Sequence, residues 1–168
     1  MTDPGSNPVT FRTHRPGDLG YIIHRHGAAY AQEYDWDEHF EATVARIAAD
    51  FIDNYDPVLE RCWIAERDGL FMGCVCLVKD AKRVNTARIR MLFVESNARG
   101  LGLGKQLVQN CINFAREKGF KEVVLTTHSI LTPARKLYKA AGFTLLGKDE
   151  PVKFGPPDAT AECWHLGL

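Results

Sequence analysis

The sequence has 168 residues, of which 45% are apolar, and this length and composition suit one domain with a single core. Its 21 lysines and arginines balance 21 aspartates and glutamates, so the net charge gives no reason to expect binding to nucleic acid or to an anionic membrane surface. The five cysteines form no C-x-x-C pair and no set with metal-ligand spacing, which indicates reduced core thiols and no bound metal.

The first eight residues are polar and contain proline and glycine, and they lack the cationic start and apolar stretch of a secretion signal. We therefore predict a disordered tail over residues 1–8 and one domain over residues 9–168. No apolar run approaches the roughly 20 residues that a membrane-spanning helix needs. The sequence thus predicts a soluble, cytoplasmic protein without a membrane partner.

The first half of the domain combines one strand, two helices and a group of strands. Alternating apolar and polar residues predict a strand over 9–14, and apolar residues at helical spacing predict two amphipathic helices that end before Asp56-Pro57. Asp68-Gly69 is typical of a hairpin turn between two of the strands that follow. These strands are predicted at residues 62–66, 70–78 and 88–94.

The second half alternates helices with strands. One helix is predicted to begin in the glycine-rich segment that starts at Gly100 and to end at Gly119. A second helix is predicted to begin with Thr132 as N-cap and Pro133 in its first turn, and to end at Gly142. Strands are predicted at residues 123–127, 143–146 and 163–168. The order of elements predicts an α/β (or α+β) fold with a mixed sheet.

The segment R-G-L-G-L-G at residues 99–104 lies between an apolar strand and an amphipathic helix. Glycines let backbone N–H groups approach a ligand with no Cβ in the way, and the positive end of the helix dipole lies at the same place. The segment therefore predicts a pyrophosphate site. A glycine-rich turn without a ligand is the alternative for this segment taken alone.

Spacing separates this loop from two other phosphate-binding motifs. A Walker loop requires Ser or Thr after its lysine and a glycine at its start, but Gln106 follows Lys105 and position 99 is arginine. In the dinucleotide fingerprint G-x-G-x-x-G, the third glycine would fall at Lys105 or Leu107. Neither motif is present.

Two motifs together point to a family. The loop carries Arg99, Gly102 and Gly104, and residues 134–143 read A-R-K-L-Y-K-A-A-G-F. They resemble the [QR]-x-x-G-x-[GA] loop and the A-x-x-L-Y helix with its G-F turn in the GNAT superfamily of N-acetyltransferases. The resemblance runs from about residue 9 to the end, and it implies a GNAT-like, mostly antiparallel central sheet flanked by helices.

A narrower similarity is to GNAT domains fused behind MarR-type winged helices. It rests on residues 25–28, 61–69 and 131–135. No winged helix precedes the domain in this sequence, so the resemblance implies no DNA binding.

The resemblance implies acetyl-CoA as the co-substrate and direct attack of an amine on its carbonyl, with no acyl-enzyme. A splay between the strand at 88–94 and the strand at 123–127 would admit the thioester. The strand end that would pair with the pantetheine arm is Leu92, Phe93 and Val94. The residues that would hold the coenzyme phosphates are Arg99, Gly100, Leu101, Gly102, Leu103, Gly104 and Lys105.

Tyr138 matches the family tyrosine that protonates the leaving thiolate, a role that a phenol can fill. An aromatic packing residue is the alternative. The sequence departs from the family at Leu131, where asparagine is common. It departs again in the strand carrying Thr86, Arg88 and Arg90, where some members have a glutamate base.

An ammonium acceptor must lose a proton, and histidine has a suitable pKa, so His128 after the strand at 123–127 is the candidate base. A polar loop residue is the alternative. Glu33, Tyr34 and Trp36, between the two N-terminal helices, are candidates to bind the acceptor, because carboxylates and aromatic rings attract a cation. Asp37 is instead expected to cap the second helix.

The leading interpretation is an N-acetyltransferase that moves an acetyl group from acetyl-CoA to a primary amine of a small molecule or amino-acid-like acceptor. A protein or peptide acceptor is one alternative, and a non-catalytic acyl-CoA sensor is another. A homodimer that uses the C-terminal strand as its edge is a further expectation.

Overall fold

The computed structural model describes residues 7–151, 154–156 and 159–168. Most of the predicted N-terminal tail, residues 1–6, lies outside the described residues. Within the described part, the chain forms four α-helices and seven strands. In chain order they are β1 Thr10–Thr13, α1 Asp18–Tyr34, α2 Glu38–Asp53, β2 Arg61–Arg67, β3 Leu70–Lys79, β4 Thr86–Val94, α3 Leu103–Glu117, β5 Glu122–His128, α4 Thr132–Ala140, β6 Thr144–Pro151 and β7 Thr160–Gly167.

The strands form one sheet in the order β1-β2-β3-β4-β5-β7-β6. Every neighbouring pair is antiparallel except β4 and β5, which run parallel. Helices α1 and α2 pack on one face, and α3 and α4 pack on the other, so two apolar cores flank the sheet. The predicted α/β fold, with a mixed and mostly antiparallel sheet between helices, is confirmed.

Local sequence signals account for several element boundaries. Asp37 caps α2, because its carboxylate accepts a 2.9 Å hydrogen bond from the His39 N–H. Asp68 and Gly69 have φ angles of 53° and 74°, the left-handed values of a tight two-residue turn between β2 and β3. Both predictions are confirmed.

Two details of the predicted fold are wrong. Thr132 is not an N-cap but the first residue of α4, since the Arg135 N–H donates to the Leu131 carbonyl and makes Leu131 the cap. The C-terminal strand β7 is not an edge, because it pairs with β5 on one side and β6 on the other. The edges of the sheet are β1 and β6.

An irregularity in β4 opens the sheet at its centre. Met91 has a φ of 52°, and the register with β3 slips between Cys74 and Cys76, which is a β-bulge. The parallel pairing with β5 covers only the start of both strands, from Thr86 to Arg88, although β4 continues to Val94. The strands therefore separate beyond Arg88, as the expected splay requires.

Candidate active site

Two cavities meet where β4 and β5 separate. A groove of 780 Å³ runs along the glycine loop, and an inner cavity of 280 Å³ lies between α1, α2 and the sheet. Tyr30, Leu92, Leu131 and Ala134 line both of them, so the two spaces meet at these side chains. A long ligand in the groove can thus present its end to a small ligand in the cavity.

The glycine loop leaves its backbone donors free. Gly100 and Gly102 adopt φ angles of 82° and 71°, and the first bond of α3 is donated by the Gln106 N–H to the Gly102 carbonyl at 3.1 Å. Among the described residues, the N–H groups of 100–105 have no acceptor. This row of donors at a helix N-terminus is an anion-binding arrangement.

Most residues predicted to bind coenzyme line this groove. They are Leu92, Phe93, Val94, Arg99, Gly100, Gly102, Leu103, Gly104 and Lys105. Leu101 is the exception, because its side chain is 51% exposed and does not line the groove.

Glu33 lies at the groove and holds the Arg99 guanidinium with two hydrogen bonds of 2.6 and 3.0 Å. The hydrogen bonds from Arg99 lower the pKa of the Glu33 carboxyl, so the pair is ionised. Tyr34 also lines the groove. Of the three residues that the sequence grouped at the acceptor, Glu33 and Tyr34 line the groove and Trp36 lines the inner cavity, although the Tyr34 and Trp36 rings are in contact, with centroids 5.6 Å apart.

Trp36 is buried and forms one wall of the inner cavity. Its ring lies 4.8 Å from Phe40, 4.8 Å from Phe154 and 5.1 Å from Tyr30, measured between ring centroids. No aspartate or glutamate lines the cavity within the described part of the chain, and Arg90 supplies its charged side chain. The cavity lining is thus mostly aromatic and apolar, with three threonines (Thr43, Thr126 and Thr127), two histidines and one cation.

His128, the candidate base, lies at the end of β5 and lines this cavity. Its ring centroid is 4.9 Å from that of Trp36, and its side chain is buried. Burial lowers the pKa of His128, so the imidazole is neutral near pH 7. Its Nδ1 atom accepts a long hydrogen bond of 3.5 Å from the Ile130 N–H, and a hydrogen bond with the Phe154 backbone opposes the lowering of its pKa.

His26, to which the sequence assigned no role, also lines the cavity. Its Nδ1 atom lies 2.8 Å from the Ile22 carbonyl oxygen. Because a carbonyl only accepts, Nδ1 carries the proton and Nε2 keeps its lone pair. Burial lowers the pKa of His26 to about 4, so this ring is neutral as well. His26 falls in the apolar stripe of α1, which is why its pattern indicated packing.

Tyr138 is buried and lines the cavity from α4. Burial raises its pKa well above the usual tyrosine range, so the hydroxyl keeps its proton near neutral pH. Tyr30 provides a second phenol at the junction, and burial raises its pKa too. The sequence gave no signal for Tyr30, because its spacing matches the apolar stripe of α1.

Other kinds of site find no support in the described residues. No group of three or more His, Cys, Asp or Glu side chains comes close enough together there to hold a metal ion. Nor does any helix within the described ranges have the length and apolar character to cross a membrane.

Comparison with known proteins identifies the family. Residues 27–143 match the model of the acetyltransferase (GNAT) family. N-acetyltransferase 8 of Homo sapiens is 32% identical over 117 residues, which are 67% of this chain and 52% of that protein. The chain belongs to the GNAT acetyltransferase family. It spans about half the length of the curated relatives that it matches.

Solved structures agree with this fold. A GNAT acetyltransferase from Staphylococcus aureus MU50 superposes with a TM-score of 0.75 at 18% identity, covering 96% of this chain and 99% of that one. The yncA protein of Salmonella typhimurium, solved with acetyl-CoA, gives a TM-score of 0.72 at 20% identity, covering 96% and 95%. At such identities the likeness supports the fold alone.

Proposed function

We propose that this chain is an acetyl-CoA-dependent N-acetyltransferase that acts on a primary amine of a small, amino-acid-like acceptor. The observation that carries this proposal is the junction of the two cavities beside Tyr138. A groove with free backbone donors, suited to a pyrophosphate, leads through the gap in the sheet into a smaller, partly open aromatic cavity. Residues 9–168 would form the single domain that performs the reaction.

In this proposal the groove holds the coenzyme. The N–H groups of residues 100–105 bind the pyrophosphate, Lys105 adds positive charge at its edge, and Arg99 lies there paired with Glu33. Leu92, Phe93 and Val94 follow the bulge of β4, where the backbone is no longer paired with β5. These residues offer backbone donors and acceptors to the amides of the pantetheine arm.

The inner cavity holds the amine and the reacting carbonyl. His128 takes a proton from the ammonium, and the free amine nitrogen attacks the thioester carbon. The C–N bond forms, the tetrahedral intermediate collapses, and the C–S bond breaks. Tyr138 donates its proton to the departing thiolate, which leaves as the free thiol of coenzyme A, and the second proton that the acylated nitrogen loses restores the Tyr138 phenol. Burial keeps the Tyr138 phenol protonated near neutral pH, so the proton is present when negative charge develops on sulfur.

Two alternatives predict different products. With a protein or peptide acceptor, a chain terminus or a lysine would have to enter the cavity of 280 Å³. A non-catalytic sensor would bind acyl-CoA in the groove without releasing thiol. The cavity dimensions favour a small acceptor, and the placement of Tyr138 and His128 favours catalysis. The narrower similarity to domains fused behind MarR-type winged helices stays a prediction.

The test is release of coenzyme thiol from acetyl-CoA by coenzyme-depleted protein, measured with amines, amino acids and peptides. We expect release that depends on a small amine. Release of thiol only with peptides would favour a protein or peptide acceptor. Tight binding of acetyl-CoA without release across the whole panel would favour the sensor.

A further inference from the structure

Two arginines on the same face of β4 differ in their environment. Arg88 is held by the Asp80 carboxylate, 2.6 Å from its Nε atom, and its Nη1 atom donates a 2.9 Å hydrogen bond to Thr126 Oγ1. Arg90, two residues further along, lines the inner cavity. Among the residues that the structure describes, none forms an ion pair or a hydrogen bond with the Arg90 guanidinium.

An unpartnered cation beside an apolar cavity is costly. Burial lowers the pKa of Arg90, and the positive charge of Arg88 lowers it further. Asp80 and Asp50 raise this pKa from beyond ion-pair distance. Arginine nevertheless stays protonated at neutral pH, because its intrinsic pKa is so high. The fold therefore keeps a partly desolvated positive charge facing the cavity, and an anionic ligand group would stabilise it.

The rest of the cavity lining determines which ligands suit this charge. Both histidines in it are neutral near pH 7, because burial lowers their pKa values, and no described acid lines it. Trp36, Phe40 and Phe154 make the remaining wall aromatic. A ligand with one anionic group and an apolar body matches this lining, whereas a polyamine would bring positive charge against Arg90.

We infer that Arg90 binds a carboxylate of the acceptor, and that the acceptor is an amino acid with an apolar or aromatic side chain. This inference rests on the proposed function and names its substrate class. Arg90 lies two residues before Leu92, which lines both cavities. The proposed carboxylate site and the junction of the cavities are therefore formed by neighbouring residues of β4. The planar guanidinium suits a carboxylate, since it can donate two parallel hydrogen bonds.

Matched acceptors test the carboxylate directly. Phenylalanine is compared with phenethylamine, which lacks the carboxylate, and with phenylalaninamide, in which it is neutral. The amino groups of these two analogues are respectively more and less basic than that of phenylalanine, so basicity cannot produce the same preference. We expect the wild-type kcat/KM for phenylalanine to exceed that for both analogues by on the order of 100-fold.

Variants then assign the preference to one side chain. Arg90→Gln should lower kcat/KM for phenylalanine by on the order of 100-fold and leave that for phenethylamine within a few-fold of wild type. Arg88 lies on the same strand face but is paired with Asp80, so Arg88→Gln should keep the wild-type ratio of kcat/KM for phenylalanine to kcat/KM for phenethylamine. A ratio that is equal in wild type and Arg90→Gln would overturn the inference.

Calorimetric binding of the products keeps the two proposals separable. N-acetylphenylalanine should bind wild type more tightly than N-acetylphenethylamine, and Arg90→Gln should abolish the difference. If amines are acetylated with no preference for a carboxylate, the proposed anion site is wrong and the proposed transferase activity is upheld. Binding that requires both the carboxylate and Arg90, without turnover of any amine, would support the anion site and overturn the transferase. If neither turnover nor carboxylate-dependent binding is observed, the anion site and the transferase activity are both overturned.

Discussion

Glu33 neutralises Arg99 at the edge of the glycine loop, with its two carboxylate oxygens 2.6 and 3.0 Å from the two terminal guanidinium nitrogens. The pair joins the end of α1 to the residue that begins the proposed pyrophosphate site. Both side chains are substantially exposed, at 38% and 56%. Glu33 therefore competes with an anionic ligand for Arg99, at a strength that solvent moderates.

Replacement of Glu33 by glutamine should strengthen binding of coenzyme A, because it frees Arg99 and removes a negative charge beside the phosphates. The expected gain is about 2–5-fold in Kd, and it should shrink as salt is added. Calorimetric titration at two ionic strengths measures it. Glu117→Gln, at the far end of α3, is the control and should leave Kd unchanged. A higher KM for the amine with unchanged coenzyme affinity would instead assign Glu33 to the acceptor.

Substitution of Gly102 by alanine tests the loop. Gly102 and Gly119 both adopt positive φ angles, of 71° and 83°, and an added Cβ would meet no atom at either position. Each alanine variant should lose roughly 1 kcal/mol of unfolding free energy, since the left-handed conformation disfavours a side chain. Only Gly102→Ala should also weaken coenzyme binding, because it tilts the N–H groups of 100–105. Equal coenzyme affinity in the two variants would contradict the proposed pyrophosphate site.

Local signals in the sequence were sufficient for much of this fold. Alternation predicted the strands, and Asp68-Gly69 predicted the turn between β2 and β3, because each signal depends only on neighbouring residues. The cap of α4 was wrong, since Thr132 is a good N-cap residue but the first helical bond is accepted by Leu131. The position of β7 was wrong because sheet order depends on long-range pairing, which a local pattern does not encode.

Replacement of Tyr138 by phenylalanine should lower kcat by on the order of 100-fold with little change in acetyl-CoA affinity, because it removes the proposed proton donor and keeps the ring. Single-turnover kinetics and coenzyme titration separate the two effects. Tyr21→Phe, at an exposed position on α1, is the matched control. If kcat is unchanged in Tyr138→Phe, Tyr138 is a packing residue and not the proton donor.

The pH dependence of kcat/KM tests His128. The proposed base must be neutral to accept a proton, and burial lowers the pKa of His128 below the ordinary value of about 6.5. Activity should therefore persist at pH 6.5 and fall only at more acidic pH, as the imidazole becomes charged. His128→Gln should remove that acidic limb and lower the plateau by on the order of 100-fold. His24→Gln, exposed on α1, should keep the wild-type profile. An acidic limb that survives in His128→Gln would exclude His128 as the base and direct attention to His26, whose Nε2 lone pair is free.

The sequence predicted only those parts of the candidate site that are formed by residues close together in the chain. The glycine loop could be predicted because its donors come from consecutive residues. Arg90 and Tyr30 could not, since their positions in the cavity depend on the bulge at Met91 and on the packing of α1 against the sheet. Glu33 was placed with Trp36 because the segment that joins the first two helices borders the acceptor in the family that the sequence resembles, yet the two residues line different cavities.

Direct acetyl transfer is tested by product analysis in a single turnover with isotopically labelled acetyl-CoA and phenylalanine, on protein freed of coenzyme. Direct transfer predicts labelled N-acetylphenylalanine and free coenzyme A in equal amounts, formed at the same rate, with no label on the protein. Bound acetyl-CoA that stays intact with phenylalanine and with every other amine tried, or label transferred to the protein itself, would contradict direct transfer in this site.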